Sequence, residues 1–188
     1  DPRLGTIDKH WLCATCEKTN DDCPGHLGMI NLPADIIHPF FRLSVIKVLQ
    51  SVCNTCKKLL LSEKHIIESG IIQSTGYARL LKVSDYVTSN KIRCPNGCPD
   101  NPIFKPQRSG ENKTVDMFSV KKVGKEERPY FYTVKKIKSI LTEISDKDVE
   151  LLGFINNHPK NFIVDFVPVI PISARPYNTS DGQIREDH

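Results

Sequence analysis

The sequence predicts an α+β fold, irregular in outline and built from short helices and small sheets. Three observations carry that prediction. Apolar residues recur at helical spacing only over short stretches, and at strand spacing over shorter ones still. Prolines, 13 among 188 residues, interrupt the chain between those stretches. The third is the placement of the seven cysteines. They fall in tight groups, Cys13-Ala-Thr-Cys16, Cys23-Pro-Gly-His26, Cys53-Asn-Thr-Cys56 and Cys94-Pro-Asn-Gly-Cys98, at the separations of metal ligands. Two structural zinc sites therefore complete the expected fold class.

Cys13, Cys16, Cys23 and His26 stand within fourteen residues. Three thiolates and one imidazole close the coordination shell of a tetrahedral zinc ion. Two Cys separated by two residues both point into one tight turn, where backbone N–H groups reach the sulfurs. Cys23-Pro-Gly-His26 repeats the separation, with Pro24 presetting one dihedral and Gly25 permitting unusual ones. Buried free cysteines are the bland alternative, but two consecutive pairs do not look like core packing. An odd cysteine count argues against a framework made only of disulfides. One His and seven Cys give eight ligands, two complete sets. Cys53, Cys56, Cys94 and Cys98 form the second, all-thiolate set, and Pro95-Asn96-Gly97 supplies its turn. For Cys53 and Cys56 the competing reading is simple burial at a helix end. His10 is the competitor to His26 but lacks a paired spacing.

Composition bounds the rest. Hydrophobic content of 39% with 26% charged residues is that of a soluble globular chain, slightly lean in core. A net charge of +4 permits a polyanionic partner without demanding one. There is neither an apolar run long enough to span a membrane nor a signal-peptide pattern. The opening Asp1-Pro2, without Met, is expected to be cut from a longer protein.

In chain order, residues 1–8 read as loop and residues 10–26 as the first knuckle pair. Residues 28–32 read as a short strand ending at Pro33. Pro39 opens a helix at its first turn. Phe41, Val45, Val48, Leu49 and Val52 form its one apolar face, and it delivers Cys53 at its C-terminal end. Residues 62–69 form a short helix, with Ser62 as N-cap and Gly70 as terminator. A second helix covers residues 77–89, with Tyr77, Leu80, Leu81 and Val87 apolar. Thirty-seven residues separate Cys56 from Cys94. They read as an excursion too small to build a core alone, closed by the metal in its place. Residues 102–110 are extended, and 111–123 alternate as strands do. Lys121-Lys122-Val-Gly-Lys125 is a basic turn, either a solvated hairpin tip or a phosphate contact together with Arg128. Residues 133–143 are helical, with Val134, Ile137, Ile140, Leu141 and Ile144 on one face and Lys135, Lys136 and Lys138 on or beside the other. Ser145 caps the next helix with Asp148 at N3, and Val149, Leu151 and Leu152 fill it to Gly153. Residues 162–167 are a strand. Pro168 and Pro171 restrict the segment after it to an extended edge. Beyond Tyr177 the chain is polar and leads toward a further domain.

Several of these motifs resemble one family. Asp1-Pro-Arg-Leu-Gly-Thr6, the first cysteine/histidine set followed by Gly28, Asn31-Leu32 and His38-x2-Phe41 are similar to the N-terminal clamp region of the largest subunit of multisubunit DNA-directed RNA polymerases. Cys53-x2-Cys56-Lys-Lys-Leu-Leu60, Ile144-Ser-Asp-Lys-Asp148-x3-Leu-Gly153 and Phe166-Val-Pro-Val-Ile-Pro171-x3-Arg-Pro176 continue the resemblance in order. Leu27 stands where the family usually carries an aromatic residue. Met29 stands where it often carries His. These departures suggest a large-DNA-virus or divergent eukaryotic-type enzyme.

The resemblance implies a structural part of a transcription machine. It implies a zinc-stabilised clamp domain that closes over template DNA and the RNA–DNA hybrid, with two Zn²⁺ ions as scaffold. The parent would be a nucleotidyltransferase whose Mg²⁺ is held further downstream, in an Asn-Ala-Asp-Phe-Asp-Gly-Asp motif that these 188 residues do not contain. No catalytic residue is expected here. Implied partners are the second-largest and smaller polymerase subunits, template DNA and hybrid, and initiation or elongation factors, with no membrane. Implied location is the nucleus, or a cytoplasmic virus factory or virion. The expected parts are a clamp core over residues 1–60, a head excursion over 61–130, and a helix hairpin and strand over 131–188 leading to the active-centre domains. Lys121, Lys122, Lys125 and Arg128 are the candidate nucleic-acid contacts. A stand-alone zinc-ribbon adaptor, binding nucleic acid or protein, is the second reading. A zinc hydrolase is the third, and fits poorly because catalytic zinc keeps an open position that two full four-ligand sets do not leave.

Overall fold

The computed structural model describes residues 1–99, 103–105, 118–121, 130–175, 177–180 and 183–186. The chain divides into two compact units, Asp1–Ala34 with Asp165–His188, and Asp35–Val164. The mixed class is as expected: five short α-helices and three small sheets are present among the described residues.

In the first unit, Pro2–Leu4 form a 3-10 turn whose N-cap Asp1 accepts a hydrogen bond from the Arg3 N–H. Strand β1 (Gly28–Ile37) pairs with β5 (Ile163–Val169) in a two-stranded sheet, most of whose residues belong to this unit. The sequence places the end of that strand at Pro33, yet β1 runs four residues further. A two-stranded sheet is all edge, and proline at an edge leaves its missing donor on the open side. Strands β6 (Tyr177–Ser180) and β7 (Gln183–Glu186) form an antiparallel hairpin pairing Tyr177 with Glu186 and Ser180 with Gln183.

The second unit holds the helices. Pro39–Phe41 make a 3-10 turn that feeds α1 (Arg42–Ser51), so the proline does open the helix, one tight turn early. Val45, Val48, Leu49 and Val52 are fully buried as the apolar spacing required, while Phe41 is 41% exposed and stacks on Phe162 at 4.6 Å. Helix α2 (Glu63–Glu68) begins where the Ser62 side chain accepts from the His65 N–H, and ends at Gly70 with φ +70°. Helix α3 (Gly76–Ser89) buries Leu80, Val83 and Val87, and the Ser84 hydroxyl donates to Gln50 Oε1 at 2.9 Å on α1.

The excursion between Cys56 and Cys94 does not build a core alone, but neither is the metal its only support. Ile66, Ile71, Leu80, Val83 and Val87 join the same buried cluster as Val45, Val48 and Leu49 of α1. Helix α3 alone is too short to enclose a core, but α1 lends it a face.

A three-stranded antiparallel sheet comes next in the chain, β2 (Ile103–Lys105) beside β3 (Phe118–Lys121) beside β4 (Tyr130–Tyr132), pairing Phe104 with Val120 and Ser119 with Phe131. Helix α4 (Val134–Thr142) is capped by Thr133, whose side chain accepts from the Lys136 N–H, and buries Val134, Ile137, Ile140 and Leu141. Of its lysines, Lys138 pairs with Asp35 at 2.9 Å and Lys136 lies 4.3 Å from the Tyr132 ring centre. Helix α5 (Asp146–Leu151) starts with Ser145 accepting from the Asp148 N–H at 3.2 Å and stops at Gly153, φ +100°. Phe162, read as strand, belongs instead to a 3-10 turn, Pro159–Phe162, that His158 caps and Pro159 opens.

Candidate metal centres

The first centre grows from a backbone device. The Cys13 N–H donates to the Lys18 carbonyl at 2.9 Å, and the Glu17 N–H donates to the Cys13 carbonyl at 2.7 Å. Glu17 closes the turn in the left-handed region, φ +57°. The chain reverses so tightly that the sulfurs of Cys13 and Cys16 face one point, and the Thr15 N–H reaches Cys13 Sγ at 3.4 Å. The N-terminal turn braces this loop. The Ala14 N–H donates to the Pro2 carbonyl at 3.1 Å, and the Thr15 hydroxyl to the Arg3 carbonyl at 2.7 Å. Opposite, the His26 N–H donates to the Leu4 carbonyl at 3.1 Å, and Gly25 adopts φ +80°. A Cβ on Gly25 would lie 2.6 Å from Pro171 Cβ and 2.7 Å from Ser173 Oγ. Glycine is thus required here twice over, by conformation and by space.

The second centre repeats the device bond for bond. The Cys53 N–H donates to the Lys58 carbonyl and the Lys57 N–H to the Cys53 carbonyl, both at 2.8 Å, with Lys57 at φ +61°. Backbone N–H groups of Thr55 and Cys56 serve the Cys53 sulfur, and that of Lys58 serves Cys56. Thr15, Cys16 and Lys18 stand in the same relation to Cys13 and Cys16. The returning half is the turn Cys94–Cys98, in which the Gly97 N–H donates to the Cys94 carbonyl at 3.1 Å and Gly97 has φ +70°. The Asn96 side-chain amide donates to Cys56 Sγ at 3.5 Å.

The donor atoms fit a tetrahedral ion. Two sulfurs each about 2.3 Å from zinc are about 3.8 Å apart along a tetrahedral edge. Cys16 and Cys23 sulfurs are 3.6 Å apart, Cys23 Sγ and His26 Nε2 3.7 Å, and Cys56 and Cys94 sulfurs 3.6 Å. Within each set all four ligand atoms lie within 4.8 Å of one another. The thiols do not titrate alike. At Cys13, burial is outweighed by the N–H groups of Cys16 and Thr15 and by neighbouring thiols, and the thiol falls to about 6. At Cys56, burial is likewise outweighed, by the Lys58 N–H and the Asn96 amide, and that thiol also falls to about 6. Burial raises Cys16 and Cys53. It pushes Cys98 up to about 12, helped by the thiols of Cys94, Cys56 and Cys53. Like charges crowded this closely resist ionising together, and a divalent cation at their centre removes that resistance.

The structure brings all eight expected ligands into two groups, Cys13, Cys16, Cys23 and His26, and Cys53, Cys56, Cys94 and Cys98. His10 belongs to neither group; its N–H donates to the Asp8 carboxylate at 2.8 Å. Of the expected nucleic-acid contacts, Lys121 lies in β3 by its backbone. Lys122, Lys125 and Arg128 lie outside the described residues. Sequence reasoning missed Asn96 as a donor to sulfur, and missed Glu17 and Lys57 as left-handed residues. The signal for the latter pair was available: each stands one residue after a Cys-x2-Cys, where the turn must close.

The chain as a whole has relatives among known proteins at the level of sequence. The chain is 30% identical over 197 residues to the DNA-directed RNA polymerase subunit Rpo1N of Methanothermobacter thermautotrophicus (strain Delta H), covering 100% of this chain and 21% of the relative. It is 29% identical over 199 residues to the probable DNA-directed RNA polymerase II subunit RPB1 homolog of Invertebrate iridescent virus 6, covering 100% and 19%. It is 29% identical over 210 residues to the DNA-directed RNA polymerase II subunit RPB1 of Euplotoides octocarinatus, covering 100% and 42%. The chain thus spans less than half the length of each. The family model that matches covers residues 1–188 without remainder, and by that match the chain belongs to the family of RNA polymerase Rpb1, domain 1.

Proposed function

We propose that this chain is the N-terminal clamp segment of the largest subunit of a DNA-directed RNA polymerase. It is a structural part that helps to hold template DNA and the RNA–DNA hybrid. The observation that carries the reading is the coincidence of a full-length family match with two complete four-ligand sets in matching knuckles. Cys13, Cys16, Cys23 and His26 would hold one zinc ion, and Cys53, Cys56, Cys94 and Cys98 the other. Zinc in such a closed shell supplies folding free energy and leaves no position for a substrate or water.

The role of this chain's residues is therefore positional. The knuckle hydrogen bonds aim the sulfurs, and residues of α1, α3 and α4 share the buried cluster against which Cys56, Cys94 and Cys98 pack. The nucleotidyl transfer itself, with its Mg²⁺, belongs to the parent subunit downstream of these residues. The second-largest and smaller subunits and transcription factors are the partners this reading implies, and the nucleus, a cytoplasmic virus factory or the virion is the place.

Contact with nucleic acid would run through phosphates at Lys121, Lys122, Lys125 and Arg128. An isoelectric point of about 8.6 is below the value above 9 expected of a dedicated binding domain, so the contact is weak and depends on assembly. The test is to reverse the charge of Lys121, Lys122 and Lys125 together in the assembled polymerase. Salt stability of the elongation complex should fall, with the slope of log affinity against log salt reduced by about 0.9 per lost phosphate contact. Unchanged salt stability would leave those lysines as solvated surface and overturn the nucleic-acid part of the proposal.

A further inference from the structure

The two knuckles match in their backbone donors to sulfur, so the side-chain amide at the second centre stands out. Cys56 receives the Lys58 N–H, as Cys16 receives that of Lys18, and in addition the Asn96 amide at 3.5 Å. The turn that carries Asn96 explains how. Cys94-Pro-Asn-Gly-Cys98 has three residues between its ligands, where Cys23-Pro-Gly-His26 has two. Asn96 is the added residue. Pro95 before it fixes one dihedral, and Gly97 after it takes φ +70° and donates its N–H to the Cys94 carbonyl at 3.1 Å. The amide is therefore presented by a turn whose backbone is already set.

Chemistry gives that donor a task. Four thiolates around a divalent cation leave a formal charge of −2, against −1 for three thiolates and a neutral imidazole. The more negative set depends more on N–H donors to its sulfurs, and outer groups that orient ligands commonly govern 10–100-fold of metal affinity. Asn96 is exposed, so its substitution removes a donor without opening a cavity.

We infer that Asn96 is a positioning residue for the four-cysteine centre, holding the Cys56 thiolate in place through its N–H···S bond. The extra residue in the 94–98 turn exists to supply it. This rests on the zinc reading of both centres, and the test separates the two. Co²⁺ is titrated into the wild-type full chain and into Asn96→Ala and Asn96→Asp variants, with a chelator in competition. Absorption is read at the thiolate-to-cobalt band, whose intensity distinguishes four thiolates from three. Wild type should bind two Co²⁺. Each variant should bind at the four-thiolate centre roughly 10–100-fold more weakly, with Asp the worse because it adds a negative charge, and with that centre's band shifted. The three-thiolate centre should be unmoved. Either variant within about twofold of wild type at the second centre overturns the role of Asn96, as does equal weakening of both centres. Wild type failing to bind a second ion would refute the zinc reading instead.

Discussion

Gly25→Ala is the substitution whose cost the structure defines most sharply. Gly25 sits at φ +80°, a region that costs a residue with a Cβ about 1–2 kcal/mol. The added methyl carbon would also lie 2.6 Å from Pro171 Cβ and 2.7 Å from Ser173 Oγ. One neighbour is a ring and neither is the far end of a long chain, so something must move, at about 1–3 kcal/mol. The sum is about 2–5 kcal/mol. Gly97→Ala is the matched control. It has φ +70° and nothing within 4 Å of the added carbon, so it should lose only the first 1–2 kcal/mol or so. Urea unfolding with zinc in excess measures both. The single tryptophan, Trp11, lies two residues before Cys13 and reports on the first unit, while far-UV circular dichroism reports on the helices. At a urea slope of about 2 kcal/mol per molar, the middle of the usual range, the midpoint for Gly25→Ala should fall by roughly 1–2.5 M. Equal losses from the two alanines would refute the claim that Pro171 packs against the Cys-Pro-Gly-His turn.

Elemental analysis should find two zinc ions per chain. His26→Ala should weaken the first centre, and His10→Ala should leave it intact. Stripping zinc should melt the first unit while far-UV helical signal persists. Among the described residues, the buried cluster runs from Ile37 to Ile163 and so lies wholly in the second unit, as do all five helices. Acid should act like the chelator, because protons compete with the metal for thiolates and retention falls as pH falls. Loss of all helical signal at one chelator concentration would contradict it. Arg79→Ala should cost about 2–4 kcal/mol in denaturant unfolding, since its guanidinium donates to the carbonyls of Ser74 at 2.7 Å, Ile72 at 2.9 Å and Glu150 at 3.0 Å. Arg79→Lys should not restore it, because an ammonium lacks the fork that reaches three carbonyls at once.

Local chemistry was legible without a structure. The eight ligands could be read from spacing because a Cys-x2-Cys turn forms within six residues of chain. The caps at Ser62 and Ser145 were equally legible, each a hydroxyl accepting from an N–H three residues on, whereas the Thr133 cap emerged only with the structure. Periodicity in residues 41–52 and 134–144 gave the buried faces of α1 and α4, since helical spacing fixes which side chains share a side. Phe41 was the exception, because its place is set by Phe162, far along the chain.

Tertiary structure decided whatever depends on residues distant in sequence. The extension of β1 through Pro33 depends on having β5 as its partner. Residues 57–93, weighed alone, have no core, and it is α1 that supplies the other wall. Short apolar faces separated by prolines suggest, from sequence, that zinc removal unfolds residues 13–98 and spares 133–171, with their own helix pair and strand, for longer. The buried cluster joins α1, α3 and α4 and contains no described residue of the first unit, so metal dependence is expected to divide along the units instead. Gly25 was legible as a turn residue, but Pro171 and Ser173, which forbid it a side chain, come from 146 and 148 residues later. Each ligand pair is specified by short-range geometry, although joining Cys53 and Cys56 to Cys94 and Cys98 takes contact across 38 positions. Which surface each centre stiffens is specified by long-range packing, and spacing along one stretch of chain carries no information about that.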